Sequence, residues 1–175
     1  MVAKGYSQVH GIHYNETFSP VAKMDSIRLA LAIAASRHWE VHHMDVKCSF
    51  LNGDLIEEIY MQQPQGFATD HSLVCRLRKS LYGIKQAPRA WYAKIDSFLL
   101  SLNFVRCKSD SNVYLKVING SLMIIVLYVD DLLITGSSQP EIGSLKGAMN
   151  QAFSMTDLGL LSQFWGLRLL KPKME

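Results

Sequence analysis

The sequence contains few cysteines and no closely spaced pair of them. Cys48, Cys75 and Cys107 are the three cysteines of the 175-residue chain. Their odd number and wide spacing exclude a disulfide framework and a cysteine-rich zinc fold, because both need thiols in pairs. We therefore expect reduced thiols in an intracellular protein, where these side chains act as small apolar residues.

Long hydrophobic runs and several short catalytic motifs are also absent. The longest stretch without Asp, Glu, Lys or Arg is Val117–Val129, whereas a bilayer span needs about 20 residues. Met1 is followed by Lys4 and not by an apolar segment, so we expect no signal peptide, no membrane contact and a cytoplasmic location. The absence of GxSxG, GxGxxG, HExxH and P-loop patterns argues against a serine hydrolase, a Rossmann enzyme, a zincin and a P-loop NTPase.

Positive charge is concentrated in one segment. Apolar residues make up 49% of the chain and charged residues 19%, which is enough to bury a core. The net charge is only +3, yet residues 72–108 hold eight Lys or Arg against the single acid Asp96. Such a segment suggests a polyanion partner, such as a nucleic acid or a nucleotide. A solvated helix face would have the same composition, and the charge alone does not separate the two interpretations.

Hydrophobic periodicity predicts an α+β fold. Asp25 or Ser26 can cap a helix that ends near Arg37, and Asn119-Gly120 between two apolar runs predicts a hairpin. The main predicted elements are a strand at 39–47, a helix at 88–102, strands at 113–118 and 122–129, a helix at 140–153 and a strand at 162–170. This β-α-β-β-α-β order is typical of a ferredoxin-like sheet with its helices on one face. Residues 48–87 are then an insertion, where function tends to concentrate.

Three aspartates are the main candidates for a reactive site. Asp45 lies near the end of the first predicted strand, and Asp130 and Asp131 follow the apolar run Leu122–Val129. In the predicted topology the three side chains can converge, and two carboxylates about 4 Å apart repel by roughly 4 kcal/mol at an effective dielectric near 20. Either a shared proton or a divalent cation would relieve this repulsion, and oxygen ligands favour Mg²⁺ or Mn²⁺ over zinc. Alternatively, the Asp-Asp pair only bonds backbone N–H groups in a tight turn.

The adjacent histidines before Asp45 are a weaker candidate. His43 and Asp45 share one side of the predicted strand, whereas His42 points to the other side. A zinc site would need more ligands on one face, so the sequence favours packing or surface roles for both histidines.

Tyr128-Val129-Asp130-Asp131 resembles the YxDD motif of reverse transcriptases. The remaining motifs resemble the Ty1/copia class of long-terminal-repeat retrotransposons, in order and over essentially the whole chain. They are Val2–Gln8, Tyr14–Val21, Met44–Lys47 with Phe50–Gly53, Leu81–Trp91, and Asp157–Gly159 with Phe164–Leu167. One motif alone would be weak, but this ordered set is highly specific.

The resemblance implies the catalytic core of an RNA-directed DNA polymerase on a right-hand palm. Residues 39–47 and 88–170 would belong to the palm, and residues 1–38 and 48–87 to partial fingers and an insertion. The thumb, RNase H and integrase regions would lie outside the chain. The implied partners are an RNA or DNA template with its primer, dNTPs and other Pol segments, and the implied location is a cytoplasmic virus-like particle.

The resemblance also implies a role for individual residues. Asp45, Asp130 and Asp131 would be catalytic and, with the backbone carbonyl of Val46, would hold two Mg²⁺ or Mn²⁺ ions. Phe50 would lie under the nucleotide sugar and disfavour a 2′-OH, unless it is only a core residue. The other implied dNTP contacts are Lys4, Tyr82, Gly83 and Lys85. The implied nucleic-acid contacts are Gln86, Pro88, Arg89, Tyr128, Phe164, Trp165 and Gly166, of which Arg89 has a plain surface position as its alternative.

Two local departures from the family pattern occur. Cys48-Ser49 replaces the usual Thr-Ala, and Phe164-Trp165-Gly166 replaces the usual Phe-Leu-Gly, which would alter primer contacts. Two other hypotheses also stay open: an inactive truncated relic that at most binds nucleic acid non-specifically, and a different palm-type enzyme such as a nucleotide cyclase. An unfinished N-terminal strand would also expose a sheet edge, so we expect self-association.

Overall fold

The contacts of the chain fall into two compact units. A computed structural model describes residues 2–64, 66–68, 70 and 72–164, together with the backbone of residues 167–168. Unit 1 comprises Met1–Pro20 and Cys48–Ser101, and unit 2 comprises Val21–Lys47 and Leu102–Glu175. The assignment of particular segments to fingers and palm stays a prediction.

The described residues form a mixture of helices and strands. In chain order they are a 3-10 turn (Gly5–Ser7), α1 (Met24–Ser36), β1 (Val41–Val46), α2 (Ser49–Asn52), β2 (Tyr60–Gln62), β3 (Val74–Arg76), α3 (Ala87–Ser101), β4 (Val105–Arg106), β5 (Val113–Ile118), β6 (Ser121–Tyr128), β7 (Asp131–Gly136), α4 (Gln139–Ala152), β8 (Met155–Leu160), β9 (Gln163–Phe164) and β10 (Leu167–Arg168). None of the described helices has the length and apolar composition that a bilayer crossing needs.

The three predicted helices are confirmed as α1, α3 and α4. In α3, Trp91, Ile95 and Leu99 are buried and recur at helical spacing, which is the amphipathic pattern seen in the sequence. Pro88 lies in the first turn of α3, where its missing N–H costs no hydrogen bond. The N-cap of α1 differs from the predicted Asp25 or Ser26. Lys23 occupies the N-cap position, and its side chain makes no capping bond.

A six-stranded sheet forms the centre of unit 2. Its order is β4-β5-β6-β7-β1-β8, and every neighbouring pair is antiparallel. Strands β5 and β6 form the predicted hairpin, and Asn119 and Gly120 both have positive φ (49° and 79°). Two positive φ values match a type I′ turn, so the Asn-Gly signal is confirmed.

The predicted four-strand order of the sheet is wrong in two places. The apolar run after Asp131 is a full strand, β7, and it separates β6 from β1. The strand that joins the sheet after α4 is Met155–Leu160, whereas the described part of 162–170 holds the two-residue strands β9 and β10, which pair with each other. Gly159 (φ +77°) lies at a shift in the β1–β8 register, and such an irregularity hides the alternation that identifies a strand. Part of the predicted 162–170 strand lies outside the described residues.

The helices of unit 2, α1 and α4, cover both faces of the sheet. The predicted placement of the helices at 88–102 and 140–153 on one face stays a prediction. Ile27 and Ala34 of α1 share a buried core with Val41 of β1. His42, the next residue of β1, bonds Gln139 and Lys146 of α4. Because successive strand residues point to opposite faces, α1 and α4 lie on opposite sides of the sheet.

Strands β6 and β7 are buried on both faces of the sheet. Residues 123–127 and 132–136 are buried without alternation. Continuous apolar runs are typical of strands buried on both faces, whereas a sheet with one wet face alternates. The sheet end that carries Asp45 and Asp131 is therefore continuous with strands that are buried on both faces.

Unit 1 has a smaller core beside a two-stranded ribbon. Strands β2 and β3 pair with each other. Ile59, Ile84 and Ala87 are buried together. The N-terminal segment joins this unit through a 2.7 Å bond in which Ala3 N–H donates to the Tyr82 carbonyl. Gly83 (φ +97°) allows the close approach, since a Cβ there would lie 2.1 Å from the Ala3 carbonyl oxygen.

Candidate active site

Asp45 and Asp131 lie directly opposite each other in unit 2. Asp45 is near the end of β1, Asp131 begins β7, and the two are register partners in the antiparallel pair. Opposite residues of an antiparallel pair share one face, with Cβ atoms about 4.5–5.5 Å apart. Both are only partly exposed. The fold thus brings together two carboxylates that are far apart in sequence.

Asp130 lies in the turn that joins β6 to β7. Tyr128 pairs with Asp131, so only Val129 and Asp130 form the turn. Val129 has φ +56°, and a β-branched residue in the left-handed region is strained. Such strain persists only where the surrounding structure holds it, and it is common at functional sites.

A backbone hydrogen bond ties this turn to the end of β1. Val46 N–H donates to the Asp130 carbonyl over 2.9 Å. The turn therefore cannot swing away from β1 without losing a bond. All three sequence-predicted catalytic aspartates are consequently held at one end of the sheet by two adjacent strands and their connecting turn.

The Asp131 side chain makes a short bond with a histidine. His43 Nε2 lies 2.7 Å from Asp131 Oδ1, and the two side chains are 16% and 25% exposed. An ionised carboxylate only accepts, so the tautomer that fits this bond is the one that donates from Nε2. His43 is therefore more than a surface or packing histidine. The sequence feature that indicates this role is its position two residues before Asp45, on the same face of the strand.

The metal predicted from the carboxylates fits this site by donor type. Asp45, Asp130, Asp131 and the Val46 carbonyl offer the hard oxygen donors that Mg²⁺ and Mn²⁺ prefer. Among the described residues, however, no three His, Cys, Asp or Glu side chains form a metal-binding group. The predicted metal site therefore stays a prediction.

Phe164 and Tyr128 lie beside the His43–Asp131 pair. The Phe164 ring is 5.7 Å from the His43 ring and 6.0 Å from the Tyr128 ring, edge to face in both cases. Phe164 is 3% exposed, so its burial favours a packing role over its predicted nucleic-acid contact, which stays a prediction. Trp165 and Gly166, predicted for the same role, lie outside the described residues.

Two predicted dNTP contacts meet in unit 1. The rings of Phe50 and Tyr82 are 4.7 Å apart with an interplanar angle of 41°. Phe50 also packs against the core residues Ile59, Ile84 and Ala87. The core interpretation of Phe50 therefore holds, while its predicted role in sugar selection stays a prediction.

The loop before α3 is bonded to the N-terminal segment. Gln86 is 1% exposed; it accepts from Gln8 over 3.0 Å and donates to the His13 carbonyl over 3.1 Å. Lys85 N–H donates to Gln8 Oε1 over 2.8 Å, and Lys85 Nζ reaches Tyr14 Oη at 3.3 Å. This burial gives Gln86 a structural role in unit 1 and does not favour its predicted nucleic-acid contact.

The other predicted contacts of unit 1 are more accessible. Lys4, Gly83 and Lys85 are exposed, and Pro88 and Arg89 are partly exposed. Their predicted contacts with dNTP or nucleic acid stay predictions.

Part of the positive charge of residues 72–108 is neutralised by ion pairs within unit 1. Arg76 pairs with Glu58 at 3.3 Å, and Lys79 and Lys94 both bond Asp54. The hydrogen bonds from Lys79 and then Lys94 lower the pKa of Asp54. These pairs reduce the charge that the segment presents to a polyanion, so the solvated-face interpretation accounts for these residues. Arg78 is exposed.

Relatives of the chain are Pol polyproteins of transposons. It is 48% identical over 176 residues to the "Retrovirus-related Pol polyprotein from transposon TNT 1-94" of Nicotiana tabacum, covering 99% of this chain and 13% of the relative. It is 43% identical over 169 residues to the corresponding polyprotein of transposon RE2 of Arabidopsis thaliana, covering 95% of this chain and 12% of the relative. The chain thus spans about an eighth of these relatives.

A shorter relative and a family match complete the comparison. The "Putative transposon Ty5-1 protein" of Saccharomyces cerevisiae is 34% identical over 128 residues, covering 72% of this chain and 42% of the relative. No solved structure is significantly similar to the chain. Residues 1–173 match the family described as "Reverse transcriptase (RNA-dependent DNA polymerase)", so the chain belongs to this reverse transcriptase family.

Proposed function

We propose that the chain is the catalytic core of a copia-like RNA-directed DNA polymerase, with the unit 2 sheet as its palm. The observation that carries the proposal is the register of Asp45 against Asp131, with Asp130 in the adjoining turn. The family match supports the same activity. The proposed reaction is nucleotidyl transfer from a dNTP to the 3′-OH of a primer on an RNA or DNA template.

Asp45, Asp130, Asp131 and the Val46 carbonyl are the proposed ligands of two Mg²⁺ or Mn²⁺ ions. Two such ions, when bound, would activate the primer 3′-OH and stabilise the leaving pyrophosphate. The protein's own part is to hold the oxygen atoms in place: β1 positions Asp45, β7 positions Asp131, and the Val46–Asp130 backbone bond fixes the turn between β6 and β7. Binding would require the three carboxylates to draw closer than they lie here.

Nucleotide and nucleic-acid binding are proposed for further residues. For the dNTP these are Phe50, Tyr82, Gly83, Lys85 and Lys4. Along the nucleic acid, Arg89 and other cations of residues 72–108 would contact phosphates, which positions a strand without reading its sequence.

Primer extension on an RNA template tests the activity. We expect Asp130→Asn to lower Mg²⁺-dependent incorporation by the 175-residue chain at least about 100-fold, because it removes one ligand charge from the ion that activates the 3′-OH. Asp25→Asn is the matched control, since Asp25 has a 95% exposed side chain on α1. Equal incorporation by the wild type and Asp130→Asn, including none by either, would contradict the proposal and leave a nucleic-acid-binding protein as the better assignment.

A further inference from the structure

We infer that His43 is a positioning residue for the Asp131 carboxylate, directing one of its oxygens toward the proposed metal site. The inference rests on the proposed function, because it assumes that Asp131 binds a cation. His43 Nε2 is hydrogen-bonded to Asp131 Oδ1 over 2.7 Å. The other oxygen, Oδ2, is then the atom presented to an ion, so Asp131 acts as a one-oxygen ligand.

The register of β1 against β7 brings His43 and Asp131 close enough to bond. Asp45 and Asp131 are register partners, and His43 is two residues before Asp45 on the same face of β1. His43 and Asp131 are therefore diagonal neighbours, a spacing that long side chains can bridge. The low exposure of both side chains, 16% and 25%, protects the bond from competition with water.

The imidazole packs against an aromatic ring on one side. The Phe164 ring, 3% exposed, meets it edge to face at 5.7 Å. On the neighbouring strand its register partner is Gly159, which has no side chain and so leaves room for the ring. Because the donor is fixed by packing, its hydrogen bond limits the rotation of the acceptor.

The adjacent histidine has a different environment. His42 points to the other face, where its ring nitrogens meet Gln139 at 3.1 Å and Lys146 at 3.0 Å. Its side chain is 13% exposed, close to that of His43. His42 is thus a matched control: it has the same chemistry and similar burial, but the carboxylate near it is Glu40, at 3.7 Å, and not one of the three candidate aspartates.

Hydrogen-bonded partners of metal ligands fix ligand orientation, and their loss typically weakens metal binding about 10- to 100-fold. Without His43, the Asp131 carboxylate would sample rotamers in which neither oxygen faces the ion. A side chain that can still donate a hydrogen bond should restore the orientation. This separates positioning from a purely packing role, which a bulky apolar side chain would fill.

Mn²⁺ binding to the 175-residue chain by isothermal titration calorimetry tests the inference. We expect His43→Leu to raise the Mn²⁺ Kd about 10-fold, His43→Gln to retain most of the affinity through its amide N–H, and His42→Leu to bind like the wild type. In an Asp131→Asn background, His43→Leu should have no further effect, because its action passes through Asp131. Unfolding of each metal-free variant checks folding, and His43→Asn, too short to reach Asp131, replaces His43→Leu if that variant does not fold.

The outcomes separate the inference from the proposed function. If the wild type binds Mn²⁺, Asp45→Asn does not, and His43→Leu binds like the wild type or more tightly, the inference is overturned and the polymerase proposal stands. An undiminished effect of His43→Leu in the Asp131→Asn background also overturns it. If the wild type binds Mn²⁺ no better than Asp45→Asn, the proposed metal site fails, and the inference fails with it.

Discussion

At the scale of single residues, Phe50 combines a packing position with a predicted role in selectivity. Its ring contacts Tyr82 and the small core of unit 1, so its burial alone says nothing about nucleotides. A ring under the sugar would exclude a 2′-OH by steric overlap. Only a change in substrate preference can therefore reveal the second role.

Phe50→Val should relax sugar discrimination. We expect the ratio of kcat/KM for rCTP to that for dCTP to rise at least about 10-fold, since removing a steric block of this kind is worth about 1–3 kcal/mol. The loss of ring packing should also lower the free energy of unfolding by about 1–3 kcal/mol. Leu51→Val, on the same short helix and 42% exposed, is the control. An unchanged ratio with reduced stability would make Phe50 a core residue only.

Gly83 is a second residue whose identity is set by its surroundings. Gly83→Ala should destabilise unit 1 by about 1–3 kcal/mol, because its φ of +97° and the Ala3 carbonyl oxygen 2.1 Å from a Cβ leave no room. Gly147→Ala is the control, since a Cβ on Gly147 of α4 meets nothing within 4 Å and should stabilise that helix by about 1 kcal/mol. Urea unfolding measures both, and equal stability of the two variants would contradict the close approach at Gly83.

At the scale of elements, helix α1 is capped by a residue from a distant segment. Lys23 N–H, at the N-cap position of α1, donates to Asp110 Oδ2 over 2.8 Å, and Asn112 N–H donates to Asp110 Oδ1 over 3.0 Å. Burial of Asp110 opposes its ionisation, but hydrogen bonds from Ser26, Lys23 and Asn112 outweigh this and lower its pKa below the ordinary value of 3.8. A single carboxylate thus joins α1 to the turn before β5.

This pKa shift sets the direction of a pH dependence. Because the folded pKa is lowered, the ionised Asp110 stabilises the fold above about pH 3.8, and the contribution is lost as the pH falls through the folded pKa. Asp110→Asn should lower the free energy of unfolding by about 1–3 kcal/mol at pH 7, since an amide N–H₂ replaces one accepting oxygen. It should also flatten the acid limb of the stability curve, which is the fall in the free energy of unfolding at low pH. Asp25→Asn, exposed on the same helix, should change neither. An unaltered acid limb in Asp110→Asn would contradict the capping role.

At the scale of the whole molecule, the question is how much of the +3 net charge serves a polyanion. The ion pairs of Arg76, Lys79 and Lys94 show that a charged segment in a sequence is partly consumed by its own fold. Charge counting therefore overestimates the phosphate contacts. Exposed cations outside the described ion pairs, such as Arg78, are better candidates.

Binding to an RNA–DNA hybrid across a salt series tests this assignment. Arg78→Gln and Arg89→Gln should each reduce the slope of log K against log salt by about 0.9 for each phosphate contact removed. Lys94→Gln is the control, because its charge is already paired with Asp54, and it should leave the slope nearly unchanged. A slope of zero for the wild type would mean that no phosphate contacts form.

The sequence by itself determined the family, the helices α1, α3 and α4, the β5–β6 hairpin and the three candidate aspartates. These follow from local signals: ordered motifs, helical periodicity and an Asn-Gly turn. Only the tertiary structure decided that β7 lies beside β1, that α1 and α4 cover opposite faces, and that His43 bonds Asp131 while Gln86 is buried. Strand neighbours and side-chain partners depend on residues distant along the chain, and a local pattern reports which face of an element is buried without reporting what lies against it.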